Sequence, residues 1–107
     1  MNTRELAWAA GLFDGEGCFY SQSGTRLALQ LAMTDADSVR RFHRAVGGLG
    51  KVTYWDSPSL KHPMYKWRVV NFEGAQAVLA MLWYGLNARR KARATELLLN
   101  YQIRSGR

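Results

Sequence analysis

The sequence predicts an α+β fold with its elements in the order α-β-β-α-β-β-α-α. Three observations carry that expectation. Apolar residues recur at helical spacing near the start, in the middle and towards the end of the chain; four short runs alternate apolar with polar residues; and clusters of glycine, proline and aspartate separate the runs. With 107 residues, one apolar pattern and no internal repeat, residues 1–107 are expected to form a single domain.

The first helix is expected from Thr3 to Asp14. Asn2 can cap its start, Glu5 can reach back as the other half of a capping box, and Leu6, Ala10 and Phe13 recur on one face. Two strands follow, Cys18 to Gln22 and Arg26 to Met33, joined as a hairpin about Ser23-Gly24. The second sets Leu27, Leu29, Leu31 and Met33 against Arg26, Ala28, Gln30 and Ala32, so one face is core and the other polar. Asp35 or Asp37 then caps a helix to Val46, with Val39, Phe42 and Val46 inward and Arg40, Arg41 and Arg44 outward, before Gly47-Gly48 ends it. Strands three and four are expected at Lys51 to Trp55 and Tyr65 to Val70. Lys51, Thr53, Trp55, Lys66 and Arg68 lie opposite Val52, Tyr54, Trp67 and Val69. A helix from Gly74 to Tyr84 buries Ala75, Val78, Leu79 and Leu82, and a last helix from about Arg89 carries Leu97, Leu98 and Tyr101.

The result is an αββαββα core with a C-terminal helix: a four-stranded antiparallel sheet covered by helices on one face. The open face would carry Tyr20, Gln22, Arg26, Gln30, Lys51, Thr53, Trp55, Lys66 and Arg68. Any solvated face is polar, but this one is strongly basic and mixes Arg, Lys and Gln, the side chains that pair with guanine and adenine edges in the major groove. For Trp55, packing of the third strand is the favoured reading, and neighbouring Tyr54 admits the same one. Fifteen Lys and Arg against eight Asp and Glu give a net charge of +7 and a pI near 10.1, which also suits a polyanionic partner. Eight residues from Arg26 to Met33 reach about 26 Å at roughly 3.3 Å each, or roughly eight base pairs.

The same composition argues against several classes. One cysteine, Cys18, excludes an intramolecular disulfide and suits a reducing compartment. His43 and His62 stand far apart without cysteine pairs, which argues against zinc. No apolar run is long enough to span a membrane and no targeting signal is present, so an intracellular location, cytoplasmic or organellar, is expected without membrane or small-molecule cofactor.

The segment Trp8-Ala9-Ala10-Gly11-Leu12-Phe13-Asp14-Gly15-Glu16-Gly17 is the most informative in the chain. Gly11 and Gly15 lie one turn apart on the same helical face, and each glycine inside a helix costs roughly 1 kcal/mol relative to alanine. Close approach of another helix would offset that cost. Asp14 and Glu16 oppose the macrodipole at the helix end, where Gly15 and Gly17 free the backbone to turn. A hard divalent cation would remove the conflict, since Mg²⁺ binds through one or two carboxylates with phosphate and water oxygens. On spacing alone, a plain helix end and tight turn explains these residues equally well.

Ala9 to Gly17 resembles the LAGLIDADG motif of homing endonucleases, with Ala9 for the first Leu, Phe13 for Ile, Gly15 for the second Ala and Glu16 for the second Asp. The element order also matches that family's core, whose curved sheet lies along the major groove. The resemblance implies a single-motif chain that works as a homodimer through Trp8, Gly11, Leu12 and Gly15 and binds a long, nearly palindromic site on double-stranded DNA. It further implies Glu16 and the Gly15 carbonyl as ligands of Mg²⁺ or another divalent cation, with DNA contacts from Tyr20, Gln22, Arg26, Gln30, Lys51, Thr53, Lys66 and Arg68. Arg89 is placed near the scissile phosphate with Lys91 assisting, and Asp35 falls where relatives carry a water-positioning residue; helix capping is the alternative for Asp35, and a hydrogen bond at the helix end is favoured over ligation for Asp14. The implied function is a site-specific DNA endonuclease of a mobile genetic element. A DNA-binding relative without cleavage activity and an intron-RNA maturase are the alternatives.

Overall fold

Helix α1 spans Thr3–Glu16 and begins as its sequence requires, with the Asn2 side chain accepting from the backbone N–H groups of Arg4 and Glu5 at 3.0 and 3.1 Å. The structure, a computed structural model, describes residues 2–22 and 26–104, and the side chains of these apart from 20–22, 26 and 100–104. Strands β1 (Gly17–Gln22), β2 (Arg26–Met33), β3 (Lys51–Trp55) and β4 (Met64–Val69) form one antiparallel sheet in the order β1-β2-β4-β3. Around them pack α2 (Ala36–Ala45), α3 (Phe72–Leu82), a 3₁₀ turn (Trp83–Gly85) and α4 (Ala88–Arg104). The predicted class and order are those observed. The predicted hairpin turn, Ser23-Gly24, lies outside the described residues.

The core lies between the sheet and the helices. Leu27, Leu29 and Leu31 of β2, Trp67 and Val69 of β4, Phe13 of α1, Phe42 of α2 and Val78 of α3 are buried together. Phe13, Phe42 and Trp67 form a chain of ring contacts with centroids 6.1 and 4.7 Å apart, and Trp67 Nε1 donates to Leu49 O at 2.8 Å, so the largest core side chain keeps its polar atom paired.

Several boundaries differ from expectation for identifiable reasons. Helix α1 runs two residues past Asp14, through Gly15 and Glu16. Gly17, expected to free a turn, has ordinary extended backbone; a Cβ there would meet the Phe13 ring at 2.4 Å, so the residue is small to let that ring seat. Helix α3 starts at Phe72 because the Asn71 side chain caps it, accepting from Gly74 N at 2.6 Å, and it gives way to the 3₁₀ turn at Trp83. Strand β4 is shifted one residue towards its start.

Glu5 does not complete a capping box. It forms a fork with Arg41, whose Nη2 lies 2.6 Å from Oε2, and Arg41, expected outward, stacks its guanidinium 3.9 Å from the Trp8 ring centroid. This ties α1 to α2. Hydrogen bonding from Arg41 holds the Glu5 carboxyl below its ordinary value. A depressed folded-state value stabilises fully above the ordinary carboxylate range and loses that contribution as pH falls through the depressed value. Glu5→Gln is therefore expected to lower Tm slightly at neutral pH and converge on the wild type in strong acid; parallel Tm–pH curves would contradict the assignment.

Candidate functional site

The open face of the sheet is built by strand register. Cys18 pairs with Gln30, Gln30 with Arg68, Arg68 with Lys51, and Lys66 with Ala32 and Thr53, so these residues share one surface. Lys51, Thr53 and Cys18 are exposed; Gln30, Lys66 and Arg68 are half-buried. Trp55 belongs here rather than to the packing of β3. It is 44% exposed, and Lys66 Nζ sits 4.0 Å from its ring centroid. The backbone positions of Tyr20, Gln22 and Arg26 fall on the same face, and their side chains lie outside the described ones.

At the end of α1 the two carboxylates part company. Asp14 accepts from Asn87 N and Nδ2, each at 2.9 Å, and its backbone carbonyl accepts from Arg90 Nη2 at 3.1 Å. Asn87 meanwhile caps α4 through Arg90 N at 2.9 Å. The macrodipole conflict at Asp14 is thus offset by donors from the start of α4, and the predicted hydrogen-bonding role for this residue is the observed one. Glu16, two residues on, is exposed and makes no hydrogen bond or ion pair among the described residues.

The other expected site residues lie at the start of α2 and on α4. Asp35 caps α2, accepting from Asp37 N at 3.1 Å and Ser38 Oγ at 2.7 Å, and the Ser38 bond lowers its pKa. Arg89 lines an opening beside Gly17, Cys18 and Phe19, whereas Lys91, two positions along α4, turns towards Trp83, with Nζ 5.8 Å from that ring. Arg90 and Arg93 line the same opening as Arg89 and are not among the expected site residues. A helix-spaced signal for the first of them, Asn87 three residues before Arg90, is present in the sequence. On the outer side of α1, a Cβ on Gly11 or Gly15 would meet nothing within 4 Å, and Leu12 is half-buried; Trp8 instead faces Arg41 of α2.

Among the described residues no three of His, Cys, Asp and Glu gather into a metal-binding group. One chain therefore offers Glu16 and the nearby carbonyl of Gly15, a hard-oxygen set too small for an all-protein cage but suited to a cation that keeps water and phosphate ligands. No described helix is long and apolar enough to cross a membrane.

No sequence-family model matches the chain, and no curated protein does. Solved structures do. I-CvuI, solved in complex with its target in the presence of 2 mM Ca, is 20% identical, with a TM-score of 0.66 over 94% of this chain and 68% of its own. I-AabMI, a LAGLIDADG meganuclease bound to uncleaved DNA, is 20% identical, with a TM-score of 0.68 over 99% of this chain and 38% of its own. I-GzeII, a LAGLIDADG homing endonuclease in complex with DNA target, is 12% identical, with a TM-score of 0.68 over 94% and 36%. The chain has the LAGLIDADG homing-endonuclease fold. Helix α1 carries the residues that resemble the LAGLIDADG motif. The chain matches about two thirds of I-CvuI and little more than a third of I-AabMI and I-GzeII.

Proposed function

We propose that this protein is a site-specific DNA endonuclease that binds a long, nearly palindromic duplex as a homodimer and hydrolyses phosphodiesters with a divalent cation. One observation carries the reading: α1 ends in the exposed carboxylate of Glu16, without a partner among the described residues, next to the basic sheet, while its outer side presents Gly11 and Gly15 to open space. Helices that meet at such a stripe can approach closely, and a two-fold pairing would bring two copies of Glu16 together. Glu16 and the Gly15 carbonyl would hold the cation. When bound, it would supply charge neutralisation at the phosphate and a more acidic water.

The chain's own residues do the rest. Gln30, Lys51, Lys66 and Arg68, with Tyr20, Gln22, Arg26 and Thr53, would dock and read the duplex. Arg89 would stabilise charge near the phosphate, a task that suits a guanidinium better than that of a base. Lys91 would assist from the same helix start, and Asp35 would orient water while capping α2.

Base reading by Arg68 has a specific signature. Arg68→Ala should relax preference at particular base pairs by about 1–3 kcal/mol, whereas Arg40→Ala, on α2, should do little. Binding profiled across a library of mutated sites checks this, and uniform weakening would reduce Arg68 to a phosphate anchor. The function itself is tested on plasmid carrying the DNA that flanks the gene, with Mg²⁺ and with chelator. Metal-dependent linearisation is expected. Tight binding without cutting would leave a DNA-binding relative, and RNA-dependent splicing activity alone would leave a maturase.

A further inference from the structure

The opening between the first turns of α4 and edge strand β1 is lined by Arg89, Arg90 and Arg93 together with Gly17, Cys18 and Phe19. Arg90 is held in place from two sides. Its guanidinium lies 5.9 and 5.7 Å from the ring centroids of Phe13 and Phe19, its Nη2 bonds the Asp14 carbonyl, and its buried Nε has no hydrogen-bond partner among the described residues. Three guanidinium groups crowded at one opening repel each other unless an anion sits among them. The Asp14 carboxylate beside Arg90 is engaged by Asn87, and Arg93 Nη1 pairs with Glu96 at 3.0 Å in a surface pair, both side chains at least half exposed, that opens at little cost. Cys18 also belongs to the open sheet face, so the opening continues that face past its β1 edge.

We propose that Arg89, Arg90 and Arg93 form a cradle for one backbone phosphate of a nucleic-acid duplex, with Arg90 positioned by the aromatic rings and Arg89 and Arg93 closing on the phosphate oxygens. Guanidinium forks suit phosphate geometry, and the positive end of α4 adds to the attraction. The lining of the opening begins at Gly17, the residue that follows Glu16, the expected metal ligand. The cradle rests on the duplex-binding part of the proposed function and needs no particular base sequence.

That independence makes it testable with a duplex of arbitrary sequence and no divalent cation. Fluorescence anisotropy over a salt series gives the slope of log K against log salt, whose magnitude falls by about 0.9 for each phosphate that the protein ceases to neutralise. The pair of substitutions Arg89→Ala and Arg93→Ala, together in the full chain, should lower the slope by about 0.9 per bound subunit. Arg44→Ala, at an exposed position of α2 outside the opening, should leave it unchanged, and Arg89→Lys with Arg93→Lys should restore most of it. In the wild type the duplex should shield Cys18, the only cysteine, from N-ethylmaleimide, and inorganic phosphate at the same phosphate concentration should shield it less. An unchanged slope with the duplex still bound overturns the cradle alone, and a fall twice as large overturns the single shared phosphate. Equal shielding by inorganic phosphate overturns the assignment to a backbone. Failure of the wild type to bind any duplex at low salt overturns the proposed function and the cradle with it.

Discussion

Glu16→Gln is expected to cut DNA more than about 100-fold more slowly than the wild type while binding the same duplex with little change; even outer partners of metal ligands are worth about 10–100-fold. Glutamine keeps the size of the side chain and its capacity to hydrogen-bond, and removes the negative charge that a divalent cation requires. No described residue depends on Glu16 for a hydrogen bond, so the fold has nothing to lose from the exchange. Removal of an anion close to the phosphates can tighten docking slightly when no metal is present. Cleavage assayed in Mg²⁺ and binding assayed in Ca²⁺ separate the two effects. Wild-type cutting by Glu16→Gln would move the search for a ligand to Asp35, since both oxygens of Asp14 already accept from Asn87.

The largest effect on stability is expected at Gly50. Its φ of +87° is a conformation that side-chain-bearing residues rarely adopt, and a Cβ there would lie 2.6 Å from Trp67 Nε1 and 2.7 Å from the Arg68 carbonyl. Left-handed backbone costs about 1–2 kcal/mol, and overpacking adds typically 1–3 kcal/mol. The clash falls on the atom that donates to Leu49, so the hydrogen bond of a fully buried tryptophan goes too. A total near 3 kcal/mol corresponds to a fall in Tm of roughly 12–24 °C for a chain of this size. Gly47 is the control: its φ is +74° but its Cβ would meet nothing within 4 Å, so Gly47→Ala should cost only the backbone term. Thermal unfolding followed by circular dichroism measures both. Equal losses in the two variants would contradict the packing argument.

The parts of the fold that are legible in the sequence are those governed by local period and local caps. Alternation places β2 and β3 at their observed limits, and Asn2, Asp35 and Gly47-Gly48 mark helix ends through bonds or dihedrals confined to a few residues. The order β1-β2-β4-β3 is not legible, because pairing of β2 with β4 depends on segments more than thirty residues apart. Glu5 shows the same limit. Its spacing from Asn2 fits a capping box, yet a guanidinium from α2 offers the carboxylate a charged fork and wins.

At the candidate site the motif itself can be read from Ala9 to Gly17, and the distinct fates of its two carboxylates cannot. Asp14 is held by Asn87, 73 positions later, and this clamp, with Ala94 and Leu97 buried in the core, seats α4 where its arginines line an opening beside β1. Gly17 has the sequence context of a turn residue, whereas its role is to leave room for Phe13, a distinction that spacing does not carry.

One chain supplies one Glu16, without a partner among the described residues, and a bare Gly11/Gly15 stripe, so the account stands or falls on whether two chains share the site. Light scattering of the wild-type protein at micromolar concentration, free and on a duplex, measures this directly. A mass near twice 12.1 kDa for the protein component is expected, with Gly11→Leu reverting towards a single chain because its side chains would force the helices apart. A 12.1 kDa monomer in both conditions would contradict the shared-site mechanism.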